Sequence, residues 1–178
     1  MHKNNRKLGF TLAELIAVVI IVSLMATFAV GYYKRSVEQS RFAEGLMVAN
    51  AVVEAINRRN EENNLAGDAA CRHQYNIGSL DIEIRPCPGG DKFCGRSRYF
   101  EIKMVNNGGV DATRIDGPYR NGIYKINILP HCAANNADRV SCVASGGEAA
   151  IRKGKTFCES MGYTSCSLFL GKQICTKP

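Results

Sequence analysis

Proline is absent from residues 10–33, and so is every charged side chain except the carboxylate of Glu14. About 24 residues with nothing to break a helix exceed the roughly 20 apolar residues that a helix needs to cross a bilayer core. The run is also longer than the apolar stretch of about 7–15 residues in an ordinary secretory signal. Ala29-Val30-Gly31 offers the small residues at which such a signal is cut, yet Glu14 would sit badly inside one.

Other absences narrow the chemistry. No two cysteines are as close as Cys-x-x-Cys, which removes the paired knuckles that structural zinc requires, and His131-Cys132 is the single adjacent His/Cys pair. No metal or cofactor is expected. The Lys and Arg residues form no concentrated stripe; Arg58-Arg59 and Arg152-Lys153-Lys155 are the clusters, and both read as solvated faces, so nucleic acid is not an expected partner. No set of catalytic acids and bases or phosphate-binding glycines stands out, and an enzyme is not expected. Asn-x-Ser/Thr sequons are also missing.

The chain does hold eight cysteines, Cys71, Cys87, Cys94, Cys132, Cys142, Cys158, Cys166 and Cys175, all beyond the apolar run. An even number on the far side of an anchor reads as a disulfide set in an oxidising compartment. Eight cysteines allow about 105 pairings and the sequence selects none; the working set is Cys87 with Cys94, Cys142 with Cys158, Cys166 with Cys175, and Cys71 with Cys132. The 178 residues allow one globular domain plus its anchor. Of the net charge of +7, three positive charges (Lys3, Arg6, Lys7) precede the apolar run. They place the N-terminus in the cytoplasm by the positive-inside rule, with Lys34-Arg35 as a weaker opposing signal.

A carboxylate inside hydrocarbon is costly and by default functional, with an opposite charge to be found; the bland alternative is a side chain reaching back to the interface. The residues around it, Lys7-Leu8-Gly9-Phe10-Thr11-Leu12-Ala13-Glu14-Leu15 after a short basic leader, resemble the class III signal of type IV prepilins and pseudopilins. The resemblance covers residues 1–60 or so and implies a leader of residues 1–9. It further implies prepilin peptidase cleavage between Gly9 and Phe10, N-methylation of Phe10, and a role for Glu14 in methylation and in pairing with the Phe10 ammonium of a neighbouring subunit. Two opposite charges in an apolar bundle attract strongly, which supports that pairing independently. Where many pilins carry a bending proline, this chain has Gly31, a soft spot worth roughly 1 kcal/mol rather than a sharp kink.

Helical periodicity continues past the apolar run. Phe42, Leu46, Ala49, Val53 and Ile56 fall on one face, and Asn63-Asn64 and Gly67 supply a stop, so one helix is expected over residues 11–65, about 80 Å long. The period then changes to two. Strands are expected at residues 80–84, 100–104, 110–115 and 124–128, with turns at 106–109 and 116–118. Residues 67–97 otherwise read as loop. Residues 132–178 show little periodicity beyond a helix at 148–161 and a strand near 168–174.

The fold class that follows is α+β: a long N-terminal helix, membrane-spanning over 10–33 and amphipathic beyond, packed on an antiparallel sheet, with a disulfide-rich C-terminal region. Residues 34–178 form the exported domain. By resemblance the function is that of a structural type IV pilus subunit, held in the bacterial inner membrane and then polymerised into an extracellular filament. Its partners would be prepilin peptidase, other pilin subunits, the inner-membrane assembly machinery and membrane lipid. The rivals are a type II secretion pseudopilin of a periplasmic pseudopilus, and a minor pilin binding DNA or surfaces. A major pseudopilin would be expected to offer calcium ligands near its C-terminus, and residues 148–178 hold only the carboxylates Glu148 and Glu159.

Overall fold

The computed structural model describes residues 11–105, 108–130 and 139–178. The chain separates into two compact units, Met1–Ser40 and Arg41–Pro178, and one helix, α1 (Leu12–Glu62), contributes to both.

In the first unit α1 is apolar on every face from Leu15 to Tyr33, and residues 11–36 are all exposed. Gly31 lies within the helix without ending it. Among the described residues α1 is the one helix long and apolar enough to cross a membrane, by length and composition.

In the second unit the stripe expected from spacing is the stripe that packs. Phe42, Ala49, Val53 and Ile56 are buried, Leu46 is half-buried against them and Val52 joins them, and the helix ends where Asn64 takes a left-handed φ of 54°. Leu65 N–H then donates to the Asn60 carbonyl (2.8 Å) and Asn64 N–H to that of Glu61 (3.0 Å), the paired bonds that close a helix C-terminus.

Among the described residues the sheet has eight strands, β1 (Arg85–Pro86), β2 (Cys94–Arg96), β3 (Phe100–Met104), β4 (Val110–Arg114), β5 (Tyr124–Ile128), β6 (Val140–Ala144), β7 (Ser165–Phe169) and β8 (Lys172–Thr176). They lie in the order β1-β2-β3-β4-β5-β6-β8-β7, with antiparallel pairs throughout. Phe100, Ile102, Tyr124, Ile126 and Ile128 point to the core and are buried. Helix α3 (Glu148–Ser160) covers the same face: its Phe157 stacks on Tyr124 (4.5 Å between ring centroids) and meets Phe42 of α1 edge-on (5.8 Å). Gly154 permits that approach, since a methyl group there would run into the Ile123 carbonyl and Ala144.

Three expectations need correction. Residues 80–84 form no strand: a 3-10 turn (Ile77–Ser79) leads into them, and although Leu80 is buried and Asp81 exposed, no neighbouring strand pairs with them. Alternation reports which side faces the core; a ladder also needs a partner. The single strand expected near 168–174 is a hairpin, β7 and β8, because Leu170 (φ 47°) and Gly171 (φ 72°) form a two-residue turn with both residues left-handed. Residues 67–97 contain a short helix, α2 (Gly67–Arg72), as well as β1 and β2. The expected turn at 106–109 falls partly outside the described residues.

Candidate functional site

Helix α1 begins with a Thr-x-x-Glu sequence, Thr11 to Glu14, and the two side chains serve each other. Thr11 donates to Glu14 Oε2 twice, from its backbone N–H (2.8 Å) and from its hydroxyl (2.8 Å). In return Glu14 N–H donates to Thr11 Oγ1 (3.3 Å). This reciprocal arrangement satisfies backbone donors that the first turn of a helix otherwise leaves bare, and it places a negative charge at the positive end of the helix dipole. Sequence reasoning treated Glu14 as a carboxylate in search of a partner and missed Thr11. The signal was present, because Ser/Thr-x-x-Glu ahead of an apolar run is the pattern for such a cap. Gly9 and Phe10, the expected cleavage and methylation positions, lie outside the described residues.

Two aliphatic hydroxyls of the apolar half are turned inward on the helix itself. Ser23 Oγ donates to the Val19 carbonyl and Thr27 Oγ1 to the Leu24 carbonyl, each at 2.7 Å. The segment therefore presents an apolar exterior with the Ser23 and Thr27 hydroxyls satisfied, a surface suited to lipid or to a bundle of like helices.

The cysteines lie in the second unit. Cys87–Cys94 joins the loop after β1 to β2, Cys142–Cys158 joins β6 to α3, and Cys166–Cys175 bridges directly opposed residues of β7 and β8. These are three of the four pairs in the working set; Cys132, assigned to Cys71, lies outside the described residues. Cys87, Cys94 and Glu101 have ligand atoms within 4.8 Å of one another, but both sulfurs are used in a disulfide and only one carboxylate is left for a metal.

No family model matches the chain, and no solved structure matches it. Over 74 residues it is 32% identical to the type IV major fimbrial protein FimA of Dichelobacter nodosus, which covers 42% of this chain and 46% of that protein. The chain thus spans about half the length of the curated relative it matches.

Proposed function

We propose that this chain, which is type IV pilin-like, is a structural subunit of a type IV pilus. The observation that carries the reading is an apolar helix, exposed on every side over residues 11–36, running into an amphipathic half on which an α+β domain packs. Such a helix has lipid-compatible surface before assembly and can exchange lipid for identical helices without losing apolar surroundings. The fimbrial relative supports a filament as the destination.

In this reading residues 1–9 are a leader removed by prepilin peptidase, and Phe10 becomes the methylated N-terminus. The single span then holds the subunit in the inner membrane with the domain of residues 34–178 outside. Glu14 has two tasks. It caps its own helix through Thr11, and in the filament it answers the Phe10 ammonium of a neighbour, where an unpaired charge would be expensive.

Imaging of sheared surface filaments, with intact-mass analysis of their protein, tests the whole proposal. The expected result is filaments built of a chain that starts at a methylated Phe10. A mature chain starting at Met1 or at Tyr32, or filaments that lack this protein, would overturn it.

A further inference from the structure

Four of the cysteines form a row across one face of the sheet. Cys166 of β7 is the register partner of Cys175 of β8, and Cys175 is in turn the register partner of Cys142 of β6. Cys142 is bonded to Cys158 of α3, which packs on the same face. The row therefore runs Cys158–Cys142, then Cys175–Cys166, two disulfides end to end. Directly opposed residues of an antiparallel pair carry their Cβ atoms about 4.5–5.5 Å apart. The Cα atoms of Cys166 and Cys175 are 4.0 Å apart, the spacing of a narrow pair. Cys175 consequently turns its N–H and C=O toward β6 and meets Cys142 as a wide pair, with about 5.5 Å between Cα atoms. A disulfide closes at that separation without backbone movement.

Access differs along the row. Cys142, Cys158 and Cys175 are each 0% exposed, so an external thiol cannot reach the tether of α3 directly. Cys166 is half-buried and belongs to the outermost strand, between the exposed Ser165 and Ser167. We propose that the row is a thiol–disulfide exchange site, open at Cys166 to a compact dithiol, which passes a break in the hairpin bond on to the tether of α3. A thiolate of the dithiol attacks Cys166 Sγ, the Cys166–Cys175 bond breaks, and its electron pair leaves on Cys175 Sγ. The second thiol of the reagent then displaces Cys166 and departs as a cyclic disulfide, so two electrons have entered the protein. Next the Cys175 thiolate attacks Cys142 Sγ. A Cys142–Cys175 bond forms, the Cys142–Cys158 bond breaks, and Cys158 leaves as a thiolate that takes up a proton. This last step moves no net electrons; it leaves β6 cross-linked to β8 and α3 untied. Cys94 has no such neighbour on β3, where its register partner is Lys103. The inference concerns the second unit alone and does not rest on filament assembly.

The test is disulfide mapping of the full chain in non-ionic detergent. Cys166→Ser leaves the Cys175 thiol beside an intact Cys142–Cys158 bond. After folding, the protein is quenched in acid denaturant, where thiolate and therefore exchange are suppressed, then alkylated and digested. The label is expected on Cys158 as well as Cys175, together with a Cys142–Cys175 cross-linked peptide. Cys87→Ser frees Cys94 near the other edge of the sheet and should keep its label on Cys94. In the parent chain a limiting amount of dithiothreitol should free Cys166 first and Cys158 after it, with Cys142–Cys175 appearing as Cys158 does. The lag between the two should not change when the protein is diluted about tenfold, as an intramolecular step requires. Label confined to Cys175 in Cys166→Ser would overturn the proposal, and so would label scattered equally in both variants, the mark of exchange in unfolded chains. Should circular dichroism show Cys166→Ser unfolded, the parent time course decides: Cys158 freed with no Cys142–Cys175 peptide would overturn it.

Discussion

At Gly45 two residue-level effects oppose each other. Glycine inside a helix costs about 1 kcal/mol relative to alanine, so propensity alone favours Gly45→Ala. The added methyl, however, would lie 2.7–2.9 Å from three ring atoms of Phe100, which is fully buried and held by Tyr124 and Arg114. Overpacking of a close-packed core costs typically about 1–3 kcal/mol. The expected outcome is a net destabilisation of about 1 kcal/mol, read as a lower denaturant midpoint at unchanged slope; a higher midpoint would mean that the Phe100 ring moves aside without cost. A second residue-level expectation concerns pH. Arg58 grips Asp81 through two hydrogen bonds of 2.8 Å, and that grip holds the Asp81 carboxyl below its usual range. Because the folded-state pKa is depressed, the stabilisation is present above the unfolded value of about 3.9 and is lost as pH falls through the folded one. Asp81→Asn should therefore melt slightly earlier than the parent at neutral pH and converge with it in acid. The exposed position keeps the neutral-pH difference small.

Among the elements, α3 depends on its tether. Its burial rests on Phe157, Cys158 and the close approach at Gly154, and Cys158 is bonded to Cys142 of β6 across a sequence separation of 16. Closing a loop of that length is worth about 3 kcal/mol through the unfolded chain. Replacing both cysteines by alanine should lower unfolding free energy by that order, measured by chemical denaturation, with α3 loosening first in hydrogen exchange. The elements also show where sequence was readable. The stripe from Phe42 to Ile56 and the strands at 100–104 and 124–128 each bury one side and expose or half-expose the other, so their period survives in the residue pattern; the strand at 110–114 buries Asp111 as well and was legible from the turns that flank it. Strand β6 was not readable, because Ser141, Cys142, Val143 and Ala144 are all buried and a strand covered on both faces has no alternation to detect. The β7–β8 hairpin was hidden by its turn, where leucine occupies a left-handed position usually given to Asn or Gly.

For the molecule as a whole, Glu14 separates a local role from a collective one. Its carboxylate caps its own helix with Thr11, and losing such a cap costs typically about 1 kcal/mol. On the proposed reading it also answers the Phe10 ammonium of a neighbouring subunit, and breaking a buried charge pair costs on the order of 3–5 kcal/mol. Glu14→Val removes both contributions, whereas Glu14→Gln removes the charge and keeps a side chain that can still complete the cap. Neither substitution touches the core of the exported domain or the Gly9-Phe10 bond. Both variants should therefore accumulate in the membrane with a folded domain and a cleaved leader. Filament yield distinguishes the roles. If charge pairing governs assembly, glutamine should fail nearly as badly as valine, because the penalty recurs at every subunit along the fibre. If capping governs it, glutamine should restore filaments to near the parent level while valine does not. Normal filaments from the valine variant alone would remove Glu14 from assembly altogether and leave α1 as a plain anchor.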